Sequence, residues 1–279
     1  MTAPFRNSPM VQHPNLRRTM ASVGASCTAR PRDLIQETPV ALVFNGTTAA
    51  VMMASPDNVQ EFALGFALTE GFVSRIEDIE EFEQVAHQTG IEARFWLKGS
   101  ASDKLAARQR AMLGPVGCGL CGIDSLEQAL RSVAPVTDRT FRIGIDDIVR
   151  AVNMLRARQP LHDRTRSAHA AGFLVPGQGV VIAREDVGRH NALDKLLGAL
   201  ILAGLDPRSG AVIMTSRISV ELVQKTAALA CPVLIAASSP TVTAVDLAKT
   251  AGLTLITNAK THEYCVFSHG FRVTDRVRL

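Results

Sequence analysis

At 279 residues the chain is long enough for one large domain or two of about 150 residues each, so a core held only by disulfide staples is excluded. Hydrophobic residues make up 47% and charged residues 20%, a balance that excludes wholesale disorder. The formal charge of +4 suits an anionic ligand, and with one Trp and one Tyr the chain lacks stacking platforms for single strands, so no nucleic-acid partner is expected.

In chain order, residues 1–32 carry five Arg, no acid and four Pro, the composition of a mobile basic tail. That stretch has no apolar h-region, so no secretory signal is expected and a reducing, cytoplasmic setting follows. Five cysteines, an odd number, agree with it. A small α/β domain is expected over 33–110. It opens with a hairpin, Val40 to Phe44 and Ala49 to Met53, turned by Asn45-Gly46. Ser55-Pro56-Asp57 reads as the start of a helix that carries Phe62 to Leu68 and stops at Gly71. Strands follow near 81–86 and 91–97, and the acidic run from Glu77 to Glu83 around Ile79 and Phe82 reads as a solvated edge. Residues 111–124 contain GPVGCGLCG, which no strand or helix interior accommodates, and form a flexible loop. Asp124 or Ser125 then caps a helix at capping-box spacing.

The rest, 125–279, reads as an α/β domain. A helix is expected over 145–156, a hairpin over 172–175 and 180–183, and a helix through Leu193, Leu196, Leu197 and Leu200. Leu196 to Leu205 is the longest nearly unbroken apolar run, about half of the roughly 20 residues that a membrane span needs, so no membrane segment is expected. Strands at 211–214, 233–236 and 253–256 alternate with helices at 219–230 and 241–251, which implies parallel crossovers and a sheet covered on both faces. Ligands collect at the carboxyl ends of such strands, here Thr215-Ser216-Arg217, Ser238 to Thr241 and Thr257 to Lys260.

Cys118-Gly119-Leu120-Cys121 is the most chemical feature. A thiolate is the nucleophile of sulfur chemistry, and the flanking glycines free either sulfur to reach a partner. A zinc site would need two further ligands, with His262 and Cys265 as candidates; a thioredoxin-like dithiol would need a strand running into the motif. Cys231 reads as a buried, inert thiol. The second constellation runs from Arg184 through Glu185, Asp186, Arg189 and His190 to Lys195. Its polar density exceeds what a connecting loop requires; Asn191 is the expected cap of the following helix, whose free amides would welcome phosphate. A salt-bridged strand-to-helix junction is the alternative, and His169 and His190 read equally as structural or catalytic. Arg217, Lys225 and Lys260 with Ser216, Ser239 and Thr241 make a polyanion cradle, although Lys225, inside a helix, reads as solvated.

EDVGRHNALDKLLG at 185–198, with CGLCG, ALGFALTEGFV at 63–73 and SPTVTAVDLAKTAGLTL at 239–255, resembles the FdhD/NarQ family of formate dehydrogenase accessory proteins, from about Glu37 to the carboxyl terminus. The resemblance implies a cytidine-deaminase-like carboxyl-terminal α/β domain beside a smaller amino-terminal one, as a homodimer. It implies a sulfurtransferase: persulfide sulfur passes from a cysteine desulfurase to Cys118, with Cys121 as helper or second carrier. From there it goes to the molybdenum bis(molybdopterin guanine dinucleotide) cofactor destined for formate dehydrogenase, bound as substrate, with no structural metal. The segment matching the family's cofactor-binding stretch is Asn258, Ala259, Lys260, Thr261, His262 and Glu263; Arg217, Asp186, Arg189 and His190 are the further binding candidates. This chain departs from the family at Thr165 to His169, at Thr215-Ser216-Arg217 and across 258–263, where glycines that let backbone approach phosphate are replaced. Two rivals remain. A zinc deaminase-type hydrolase lacks its glutamate in His169-Ala170-Ala171, and a non-catalytic module would only hold the cofactor.

Overall fold

The computed structural model describes residues 5–7, 16–23, 28–99, 133–257, 259 and 264–275. Strands β1 (Phe5–Asn7), β4 (Thr38–Phe44), β5 (Thr47–Ala54), β6 (Ile79–His87) and β7 (Gly90–Leu97) form a five-stranded sheet in the order β1-β6-β7-β4-β5. Asn45 and Gly46 turn the β4–β5 hairpin at φ 48° and 80°, the left-handed pair that a two-residue hairpin loop requires. The Asn45 carboxamide also accepts from the Leu97 amide at 2.8 Å. Phe44 stacks on Phe72 and Phe95, with ring centroids 4.6 and 5.1 Å apart, and helix α1 (Val59–Thr69) lays Phe62 and Phe66 over the same core. Along β6 the acidic run is amphipathic: Ile79 and Phe82 are buried, while Glu83 pairs with Arg94 on β7 at 3.3 Å.

The second sheet has six strands. A short strand, β8 (Ile143–Gly144), leads into α2 (Ile145–Arg156), and α3 (Pro160–Thr165) precedes a hairpin of β9 (His169–Val175) and β10 (Gly179–Asp186). Then α4 (Arg189–Leu202), β11 (Ala211–Met214), α5 (Val220–Ala228), β12 (Val233–Ala236), α6 (Val242–Thr250), β13 (Thr254–Thr257) and β14 (Cys265–Ser268) complete the order β10-β9-β11-β12-β13-β14. A last strand, β15 (Val273–Thr274), pairs with β8. β11, β12 and β13 are parallel, flanked by antiparallel β9 and β14. Their continuous apolar runs follow from burial on both faces. Ile213, Ile235 and Ile256 join Ile148 and Leu155 of α2 on one side. Val212, Leu234 and Leu255 join Leu193, Leu196 and Leu222 of α4 and α5 on the other. The α/β class expected from the alternation is the one observed, and no helix among the described residues is long and apolar enough to cross a membrane.

Three readings need correction. The basic leader contains strand rather than only tail: β2 (Leu16–Val23) pairs antiparallel with β3 (Thr28–Ile35). Asp33 fixes β3 by accepting from Arg18 and from Arg164 of α3, at 3.0 and 2.9 Å. Ser55 and Asp57 do not start α1; its cap is Asn58, in the left-handed region at φ 52° without a side-chain cap bond, because both residues are engaged elsewhere, as shown below. Asn191 does not cap α4 either. That helix starts after Gly188, and the Asn191 amide donates to Asp186 and to the Met53 carbonyl at 2.9 and 2.8 Å. The CxxC loop and the helix expected after it lie outside the described residues.

The two sheets meet where α1 crosses α4, the most extensive helix contact among the described residues. Glycine makes the approach possible on both sides: a Cβ on Gly65 would lie 1.9 Å from the Asp194 carbonyl oxygen, and one on Gly198 1.9 Å from that of Glu61. Backbone cannot yield as a flexible side chain can. Gly65→Ala and Gly198→Ala are each expected to cost about 1–3 kcal/mol in urea unfolding, whereas Gly99→Ala, where a Cβ meets nothing within 4 Å, is expected to leave the midpoint in place.

Candidate functional site

The carboxyl ends of β11, β12 and β13 lie along one edge of the six-stranded sheet. Because β9 and β10 run antiparallel, the start of β9 and the end of β10 reach the same edge, with His169 and Asp186 in register. Helices α4, α5 and α6 begin there, so Arg189, His190, Ser219 and Thr241 converge on it. The loop after β11 is pinned by the Thr215 amide donating to the Ala170 carbonyl at 3.1 Å, and by the Ala170 amide donating to the Thr215 hydroxyl at 3.0 Å. Thr241 caps α6 through its hydroxyl, which accepts from the Ala244 amide. This edge is where ligands bind in open α/β sheets.

Beneath it lies a buried ionic network. Lys195, fully buried, contacts Asp186 at 2.8 Å and Asp57 at 2.7 Å and donates to the Ser55 carbonyl at 3.0 Å. Asp186, also fully buried, accepts from the amides of Ser55 and Gly188 at 2.9 and 2.8 Å and from Asn191. The Ser55 hydroxyl accepts from the Val187 amide at 3.1 Å. With its oxygens occupied by protein donors, Asp186 sits under the site and fixes the turn into α4 rather than facing a ligand. Glu185 is turned toward α3, accepting from the Leu161 and His162 amides at 2.7 and 2.8 Å; burial raises its pKa. Arg184 pairs with Glu61 of α1 and Lys195 with both Asp186 and Asp57, so the charges of the junction pair across the two sheets as well as with one another.

Lys225 is the clearest correction. Read as solvated, it is 4% exposed: its ammonium lies 2.9 Å from Asp194 and 2.8 Å from Glu70 and donates to the Thr69 hydroxyl at 3.0 Å. Burial raises the Asp194 pKa while Lys225 opposes the shift. Lys225 is therefore a second cross-sheet tie and no part of an exposed cradle. Cys231, as expected, is inert: burial pushes its thiol up to about 12.

What remains open at the edge is cationic. Arg217 is exposed, and Arg189 and His190 are half-buried. The buried Arg189 Nε and Thr257 Oγ1 find no hydrogen-bond partner among the described residues. Burial, and then the Arg189 charge, lower the pKa of His169, so its imidazole is neutral at neutral pH and offers a proton acceptor beside a fixed cation. Glu221, at the start of α5, lies 3.8 Å from His190; its carboxyl falls from 4.5 to about 2, chiefly through His190, with burial opposing. Ala259 is buried against the α2-side core, so its side chain is turned to the core. Cys118, Cys121, Asn258, Lys260, Thr261, His262 and Glu263 lie outside the described residues. Sequence reasoning passed over Ser55, Asp57 and Glu221 as site-forming groups. The available signal was Lys195, a charge set within an apolar helical run.

Two measurements probe this arrangement. Lys195→Met leaves the Asp186 carboxylate buried without its cation and is expected to cost about 3–5 kcal/mol in denaturant unfolding; a loss within experimental error would remove the network from this role. Because the folded pKa of Glu221 lies below its unfolded value, its contribution is complete above about pH 4.5 and is lost as pH falls toward about 2. Glu221→Gln is therefore expected to flatten the decline in stability across that window, followed by urea unfolding at stepped pH.

Residues 35–274 match the FdhD/NarQ family. The sulfur carrier protein FdhD of Agrobacterium fabrum is 46% identical over 256 residues, covering 92% of this chain and 94% of that one. The protein of the same name from Brucella abortus is 48% identical over 240 residues, covering 86% and 89%. Among solved structures, a crystal structure of a formate dehydrogenase accessory protein from Desulfotalea psychrophila superposes with a TM-score of 0.70 at 21% identity, covering 93% of this chain and 98% of that one, and shares its fold. On the match across residues 35–274 and these identities, the chain belongs to the FdhD/NarQ family.

Proposed function

We propose that the protein is a sulfur carrier accessory to formate dehydrogenase, with Cys118 as the carrying residue. The Cys118 thiolate attacks the outer sulfur of a persulfide on a cysteine desulfurase; a new S–S bond forms, and the desulfurase thiolate leaves. Covalent carriage divides one difficult transfer into two easier ones. Attack by the Cys121 thiolate on the Cys118 sulfur then expels sulfide and leaves a Cys118–Cys121 disulfide to be reduced by cellular thiols. The acceptor is the molybdenum bis(molybdopterin guanine dinucleotide) cofactor, held as substrate along the carboxyl edge of the six-stranded sheet before it enters formate dehydrogenase. In this reading the protein works as a homodimer in the cytoplasm, where thiols stay reduced.

The observation that carries the reading is the cationic edge: exposed Arg217, half-buried Arg189 with a free Nε, and the helix starts of α4, α5 and α6 suit the phosphates of a dinucleotide cargo. Arg189 and Arg217 would contact the phosphates, and His190 and the 258–263 segment the rest of the nucleotide. Neutral His169 would take up a proton released at this edge. The names of the relatives, sulfur carrier proteins, agree with this reading.

The test is intact-protein mass spectrometry after incubation with a cysteine desulfurase and cysteine. A gain of one sulfur atom, absent in Cys118→Ala, is the expected result. No gain on the unaltered protein, under conditions that load a control carrier, would leave the edge as a cofactor-holding surface only and remove the carrier.

A further inference from the structure

The opposite edge of the same sheet has no part in that chemistry, yet it is also built around cations. Thr254 opens β13, and Arg272 donates to its hydroxyl at 3.0 Å, to the Gly252 carbonyl at 2.9 Å and to the Asp138 carbonyl at 2.6 Å. Every one of those acceptors is neutral. Arg272 is 1% exposed, and its Nε has no partner among the described residues. The Asp138 carboxylate favours the charged guanidinium from a distance but is turned to its own loop, accepting from the Thr140 amide and hydroxyl at 2.7 Å each. A buried guanidinium without an ion pair is costly, and an anion from outside would offset that cost.

The surroundings increase the positive charge. Phe271, 43% exposed, has three guanidinium carbons around its ring, those of Arg272, Arg139 and Arg142, at 4.7, 5.8 and 6.0 Å from the centroid. None of the three forms an ion pair among the described residues. Among the described residues Arg142 donates only to the carbonyls of Arg139 and Phe141. Arg139, Phe271, Arg272, His269, Val136 and Gly252 line a cavity of about 260 Å³, several times the size of a bare phosphate. We propose that this edge is a second anion site, separate from the first, which takes a phosphate-bearing small molecule. Arg139 and Arg142 grip the phosphate in forked hydrogen bonds, Arg272 supplies fixed charge from below, and a flat organic portion lies on Phe271.

Isothermal titration of the full chain with inorganic phosphate and with adenosine monophosphate, at physiological ionic strength, tests the site and separates its two sources of phosphate. Saturable binding of at least one is expected, weakened at least tenfold in the doubly substituted Arg139→Ala/Arg142→Ala protein. Both residues are exposed, so folding, checked by circular dichroism, is expected to hold. If the ligand is an ester, adenosine monophosphate binds about tenfold tighter than phosphate through stacking, and Phe271→Ala removes that advantage alone. Equal affinities, both lost in the double variant, identify free phosphate. Arg217→Gln, which alters the carboxyl edge alone, is expected to keep the binding event that the double variant loses. Absence of saturable binding, no binding event lost in the double variant, or loss of that same event in Arg217→Gln would overturn the proposal. None of these outcomes depends on Cys118, so failure here leaves sulfur carriage untouched.

Discussion

Lys195 and Asp186 are both removed from water, and two buried ions 2.8 Å apart hold a structure together only if their remaining hydrogen-bonding capacity is met. Half of what meets it comes from just beyond the end of β5 in the five-stranded sheet, the Ser55 amide and carbonyl and the Asp57 carboxylate, and the Ser55 hydroxyl holds the turn itself by accepting from the Val187 amide. The turn from β10 into α4 therefore has a defined shape only while the other sheet is docked. Since Arg189 and His190 are the first residues of α4, their placement at the carboxyl edge follows from that docking. Lys225 with Asp194, Glu70 and Thr69 repeats the device further along α4, and Gly65 and Gly198 bring the helices close enough for both to close.

Those ties explain which features can be read from the chain and which cannot. β11 and β12 and helix α2 fall on the residues that periodicity selects, 211–214, 233–236 and 145–156, since each is a local apolar pattern bounded by local turn residues. The Asn45-Gly46 hairpin is likewise local. Ser55 and Asp57 look like a helix start because cap chemistry and network chemistry use the same short oxygen-bearing side chains. Their partners lie 131 to 140 residues away, and no spacing in the sequence encodes that distance. Lys225 misleads for the same reason, for a lysine in a helix is ordinarily solvated and its counterions sit on other helices. The antiparallel flanks β9 and β14 and the β2–β3 pair depend on tertiary pairing that a strand signal does not specify.

The candidate site was legible in composition but not in role. The string from Arg184 to Lys195 stands out because it is too polar for a connection between a buried strand and a packed helix. Its members then divide by direction. Glu185 and Asp186 point at backbone amides, Arg184 and Lys195 at acids of the other sheet, and only Arg189 and His190 remain at the edge. Alternation along a strand and rotation about a helix decide that division, and it changes if the start of α4 shifts, which an assignment of Asn191 as the cap would have done by moving it from Arg189 to Ala192.

The two edges of the sheet differ for a reason built into parallel strands. Crossover helices start where the strands end, so one edge gathers free amides and the other gathers helix carbonyls. At the second edge, donors are therefore required for structural reasons: Arg272 donates to the Gly252 carbonyl just past α6, and His269 lies 2.8 Å from the Lys249 carbonyl within its last turn. That requirement accounts for Arg272 and His269. It does not extend to Arg139 and Arg142, which are exposed and donate to no helix carbonyl among the described residues. Helix-end chemistry thus fixes part of the charge at this edge, and the surplus is the part that calls for a ligand.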